Sequence, residues 1–258
     1  MVDALPPGSA GGDVPTVPGP LADPGLTVAM HMSDGLVNAP TAAVFGLVAA
    51  IGLAISASRA RSDLDERTAP MAGLVTAFVF AVQMINFPIL PGASGHLLGG
   101  ALVAILVGPW VGSLCIAIVL VVQALLFADG GLTALGTNIT NMALVGTFTG
   151  FAVAYALRRF ATRSRRALLT VSFVAALVNT VVASLAFVFE YAVGGAGGAG
   201  LGTVFSLMVG LHVLVGIGEG IITAATVGAV AAVRPDLVYL LRGTRPAVIL
   251  RTPGEAAR

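Results

Sequence analysis

Seven stretches of this chain are apolar over roughly the 20 residues that a helix needs to cross a hydrocarbon core, and nothing else in the sequence restricts the fold so strongly. They lie at 39–58, 70–88, 94–107, 109–128, 138–158, 167–190 and 203–233. In lipid every backbone N–H and C=O needs an internal partner, so these stretches are expected to be helices. The expected fold class is therefore all-α: a polytopic membrane bundle of seven transmembrane helices. Composition agrees, with 10% charged residues and a mean hydropathy of +0.99, where soluble domains carry roughly a quarter charged residues. The third stretch is short and runs into Gly108-Pro109, where a proline fits best in the first turn of the next helix. The seventh is longer than one span requires, and Gly210, Gly216, Gly218 and Gly220 allow it to tilt or to break.

The expected organisation is a leader over 1–29, a seven-helix domain over 30–233 and a cytoplasmic tail over 234–258. The leader is rich in Pro and Gly, contains Asp3, Asp13 and Asp23, and has no basic residue. It lacks the apolar core behind a positive region that a secretory signal needs. It is expected to be disordered, and either to follow a misassigned start or to be removed by processing.

Charge supplies an orientation, because cytoplasmic loops near a membrane carry the excess of basic residues. All 13 basic residues are Arg. If the first span starts outside, Arg59, Arg61 and Arg67, then Arg158, Arg159, Arg163, Arg165 and Arg166, then Arg234, Arg242, Arg245, Arg251 and Arg258 all fall inside. Asp34, Asp129 and Glu190 fall on the opposite side. The amino end is thus expected outside and the carboxyl end in the cytoplasm of a cell (plasma) membrane protein. A net charge of +1 offers no basic field for nucleic acid, and the lone Cys115 excludes a disulfide framework or thiolate cage within one chain. Small residues at four-residue spacing, Ala42, Gly46 and Ala50 in the first span and Ala224, Gly228 and Ala232 in the last, suit close helix packing.

The polar chemistry collects at the outer side. Gly92, Gly95, Gly99 and Gly100 surround His96, while Asp129-Gly130-Gly131 with Asn138, Thr140 and Asn141 lie at the same depth. Facing them is the hexapeptide Met30-His31-Met32-Ser33-Asp34-Gly35. No HExxH, CxxC or GxSxG motif is present, so intramembrane metalloprotease and serine hydrolase readings lack their parts. A chain starting at Met30 would offer its free amine, the deprotonated amide nitrogen of His31 and the His31 imidazole as three nitrogens in one plane, with a fourth position open to a donor such as His96. Planar nitrogen coordination suits Ni(II) or Cu(II), and Co(II) shares the preference for imidazole. An internal Met30 offers an amide instead, which is why a start or cleavage at Met30 is expected. Taken alone, His31 also reads as a solvated terminal residue and His96 as a loop histidine bonded to a carbonyl. Glu219, at membrane depth, is costly unless paired or functional. It lies seven residues after His212 on one helical face, which suggests either a structural pair or a coupling role.

These residues carry a family resemblance. MHMSDG at 30–35, FPILPGASGHLLGGALVAILVGPW at 87–110, QALLFADGGLTALGTNITNMAL at 123–144 and GIGEGIITA at 216–224 resemble the cobalt/nickel substrate-binding S component of energy-coupling factor transporters, the CbiM/NikM family. The resemblance spans essentially all of 30–233. It implies a seven-helix subunit whose amino terminus plugs into the bundle and which holds Co(II) or Ni(II) as transported substrate through nitrogens at positions matching Met30, His31 and His96. Asn86, Ser94, Asn138 and Asn141 are candidates to support those ligands, with His212 and Glu219 as candidates for coupling. The resemblance further implies a transmembrane coupling protein, two cytoplasmic ATPase subunits and a separate small accessory membrane protein as partners. With no ATPase motif of its own, the chain is expected not to be an enzyme. The alternative from another class is a secondary transporter or channel for a small polar solute, with His212 and Glu219 as an intramembrane relay.

Overall fold

The computed structural model describes residues 31–66, 68–85, 87–90 and 93–243, with the backbone alone over 87–90 and 93–95. The leader, Met30, Arg67, Asn86, Pro91, Gly92 and residues 244–258 lie outside the described residues.

The fold is helical. Helix α1 spans Ala39–Asp63 and starts at Asn38, whose Oδ1 accepts from the Thr41 N–H at 2.9 Å while Pro40 occupies the first turn. Helix α2 spans Thr68–Gln83. A short antiparallel hairpin follows, β1 Phe87–Leu90 pairing β2 Ala93–Gly95 in the register Phe87 to Gly95 and Pro88 to Ser94. Helix α3 covers only Gly100–Val107, and α4 covers Pro109–Leu126. Helix α5, Leu135–Ala156, contains a π-helical stretch over Ile139–Gly146. After the single turn Arg158–Ala161 come α6, Arg165–Gly194, and α7, Leu201–Val233.

Among the described residues five helices, α1, α4, α5, α6 and α7, are long and apolar enough to cross a membrane. The expected third span differs most. Residues 93–95 belong to β2 and 96–99 are non-helical, with Gly99 at φ +80°, and the eight-residue α3 rises only about 12 Å, well short of a hydrocarbon core. α3 is instead the centre of the bundle, with all eight of its residues buried. The expected seventh span is one uninterrupted helix of 33 residues. Apolar side chains on the outside of α1, among them Leu47, Ile51 and Ile55, are exposed, as a lipid-facing surface requires.

The end of the bundle near Gly108 is closed by the chain that follows α7. Pro235–Leu237 and Tyr239–Leu241 are single 3-10 turns, and Val238 between them and Leu240 in the second are buried. Gly108, at φ +90° between α3 and α4, takes a backbone conformation favoured by glycine, and a Cβ there would sit 2.8 Å from the Tyr239 ring. Arg158 ties this strap down by donating through Nε to the Leu240 carbonyl at 2.8 Å and through Nη2 to the Arg242 carbonyl.

Candidate metal centre

The segment 31–38 enters the end of the bundle opposite the 235–241 strap and is fixed by backbone. Asn38 N–H donates to the Gly194 carbonyl at 2.8 Å, Ala196 N–H donates to the Leu36 carbonyl at 2.9 Å, and Val37 bridges Gly195. Met32 is fully buried among Val37, Ala134, Phe187, Val188 and Met208. Asn138, at the top of α5, grips Met32 from both sides: its Oδ1 accepts from the Met32 N–H at 2.8 Å and its Nδ2 donates to the Met32 carbonyl at 3.0 Å.

The loop between α4 and α5 lies over this segment. Gly131 N–H donates to the Met32 carbonyl at 3.1 Å, and a Cβ on Gly131 would fall 2.3 Å from the Asp34 nitrogen. Asp34 Oδ1 accepts from the Thr133 N–H at 2.7 Å and hydroxyl at 2.5 Å, which holds its carboxyl below the ordinary carboxylate range. Asp129 is likewise held low by its hydrogen bond from His31 Nδ1, at 3.0 Å.

His31 and His96 meet here, each 2% exposed, with ring centroids 4.5 Å apart and planes inclined by 33°. His96 Nδ1 donates to the Leu97 carbonyl at 2.9 Å. With Nδ1 occupied on both rings, each Nε2 carries the free lone pair, and both Nε2 atoms are buried without a hydrogen-bond partner. Histidines that ligate metals almost always hold their second nitrogen in this way. His31 presents Nε2, however. A chelate with its own amide nitrogen needs Nδ1, so that mode requires the ring to leave Asp129 and turn. Among the described residues, no three His, Cys, Asp or Glu side chains come together as a metal cage. The two imidazoles need further donors of another kind.

Glu219 on α7 supports the His96 loop. Its carboxylate accepts from the Leu98 N–H at 2.9 Å, the Gly99 N–H at 3.1 Å, Asn179 Nδ2 at 2.9 Å and the Thr180 hydroxyl at 2.9 Å. Gln83 Nε2 adds a bond to the Leu98 carbonyl at 2.6 Å. His212 instead donates from Nδ1 to the Met208 carbonyl at 2.6 Å. The expected pairing of His212 with Glu219 is therefore absent; each binds elsewhere, and a direct proton relay between them has no hydrogen bond to follow. Asn141 donates to Glu190 Oε2 at 2.7 Å rather than to either histidine of the pair. Of the other expected site residues, Met30 and Asn86 lie outside the described residues, and Ser94 is described by its backbone in β2 alone. Asp129, Thr133, Asn179 and Thr180 belong to the site but were not among the expected site residues. The turn Asp129-Gly130-Gly131 was the one visible signal for them.

Comparison with known proteins relates this chain to metal transport proteins. A family model described as the cobalt uptake substrate-specific transmembrane region, CbiM, matches residues 31–237. A cobalt transport protein CbiM of Sorangium cellulosum is 30% identical over 223 residues, which are 84% of this chain and 97% of that protein. A fused nickel transport protein NikMN of Rhodobacter capsulatus is 40% identical over 139 residues, 53% of this chain and 40% of that protein. A crystal structure of a transition metal transporter superposes with a TM-score of 0.72 at 29% identity, over 83% of this chain and 100% of that one.

Proposed function

This chain belongs to the CbiM family of cobalt and nickel transport membrane proteins, and from that premise we propose that it is the substrate-binding subunit of an ATP-driven importer for Co(II) or Ni(II). The observation that carries the reading is the pair of buried imidazoles, His31 and His96, 4.5 Å apart with both Nε2 atoms unpartnered. Neutral imidazole nitrogen suits these borderline ions, and the apolar surround keeps water from competing.

In the complete site, the free amine of Met30, the amide nitrogen and Nδ1 of His31, and His96 would supply four nitrogens. The burial of His31 and Met32 supports this arrangement, since a chain end at Met30 would lie directly against the pair. The seven-helix count, the amino end outside and the location in the plasma membrane belong to the same proposal and are supported by the distribution of Arg. ATP hydrolysis would reside on two separate cytoplasmic subunits, linked through a transmembrane coupling protein, with a small accessory membrane protein alongside.

Isothermal titration of Ni(II) and Co(II) into purified protein tests the site. His31→Ala and His96→Ala should each weaken binding by roughly 100-fold or more. Retention of the parent affinity in both variants would sink the assignment. Intact mass of the membrane-extracted protein tests the amine: a free Met30 must appear for the four-nitrogen chelate to form. Uptake that persists without ATP-hydrolysing partners would contradict the importer.

A further inference from the structure

The three histidines of this chain share one construction. His31 Nδ1 donates to Asp129, His96 Nδ1 to the Leu97 carbonyl and His212 Nδ1 to the Met208 carbonyl. A carbonyl only accepts, so His96 and His212 both keep the proton on Nδ1 and the lone pair on Nε2. For His212 alone this pattern is ordinary, because a histidine on a helix readily bonds the carbonyl four residues back.

Its surroundings are less ordinary. His96 and His212 line a common cavity of 10 Å³ together with Asn138, Asn141, Met142 and Met208. Two buried polar atoms of that lining have no hydrogen-bond partner, His96 Nε2 and Asn141 Oδ1. Buried polar groups in folded proteins are rarely left unpaired, and each exception points to something that completes it. The cavity is about the size of one water molecule. Its wall carries two imidazole-bearing residues, the unpartnered Asn141 Oδ1 and two methionines, residue types that favour a borderline or soft transition-metal ion over Mg(II) or Ca(II). Glu190 lies beside this lining: it is fully buried, its Oε2 accepts from Asn141 Nδ2, and its Oε1 has no partner.

We infer that His96 and His212 form a second, inner position for the divalent transition-metal ion, which the ion reaches by exchanging His31 for His212 while His96 stays bound. The step is a ligand exchange with no change of oxidation state, and His96 is the hinge common to both positions. The inference rests on the reading of the chain as a Co(II)/Ni(II) carrier, and it gives that carrier a two-stage site in place of a single one.

The test is a titration of Co(II) into the purified full chain, read by affinity and by absorption, for the parent, His31→Ala, His31→Ala with His212→Ala, and His31→Ala with His212→Cys. The first variant removes the His31 imidazole from the outer position and should retain weak binding. Removing His212 in that background should weaken it by a further tenfold or more. The cysteine variant keeps the test meaningful if the alanine variant folds poorly. A thiolate at 212 should produce a near-ultraviolet charge-transfer band on adding Co(II) that His31→Ala lacks, although both contain Cys115. Equal affinity with and without His212, with no such band in the cysteine variant, would overturn the inner position. A parent chain that binds Co(II) no more tightly than His31→Ala and His96→Ala would overturn the carrier reading itself, and with it this inference.

Discussion

Asn138 shows how one side chain sets the position of the whole amino-terminal segment. It satisfies the Met32 N–H and shares the Met32 carbonyl with Gly131. In Asn138→Ala the Met32 N–H loses its acceptor in a buried site, a cost of about 1–3 kcal/mol. Because that bond sits one residue from His31, most of the cost should appear as a Ni(II) affinity lowered about tenfold, with a smaller fall in thermal stability. Titration calorimetry beside thermal unfolding separates the two. At this scale the sequence was informative wherever a polar residue interrupts an apolar chain, which is why His31, His96 and Asn138 stood out. Asp129 did not, because Asp-Gly-Gly reads as an ordinary turn. Its role depends on a contact with a residue 98 positions earlier, which no local pattern encodes.

Among the elements, α7 holds the His96 loop through Glu219. Four donors converge on that carboxylate, two of them backbone N–H groups of residues 98 and 99. Glu219→Gln turns one accepting oxygen into an NH₂ that faces a donor, and should cost about 2–3 kcal/mol of stability. It should also weaken metal binding while leaving the visible spectrum of whatever ion still binds unchanged, since no ligand is lost. Calorimetry and absorption on the same sample check both. A spacing of seven residues suggested a pair between His212 and Glu219, but two helical turns separate them by about 10.5 Å along the axis, too far for contact. Helix positions were legible from apolar length. The shortness of α3 was not, because a buried non-helical stretch and a buried helix carry the same apolar signature. Close packing through small residues was readable at Gly46, against which the α5 backbone lies so tightly that a Cβ on Gly136 would reach 2.4 Å from the Gly46 Cα.

At the scale of the molecule, the two ends differ in kind. One end admits the amino-terminal segment, while the other is sealed by the strap from 235 to 241, with Val238 and Leu240 in the core. The Arg distribution predicts the orientation of those ends in a cell membrane. A cysteine at Ala196, exposed in the α6–α7 connection, should react with an impermeant maleimide in intact cells, whereas one at Thr162 should react only after permeabilisation. The reverse pattern would invert the topology. The sealed end also bears on the His31–Asp129 hydrogen bond. That bond occupies Nδ1, the ring nitrogen that closes a chelate with the residue's own amide, so loading by chelation begins with Asp129 letting go. In the proposed chelate the carboxylate would act as a latch on the His31 ring. An ion that lingers through several openings of that latch would be captured and one that exchanges quickly would depart, so metals of similar affinity would be sorted by their dwell times.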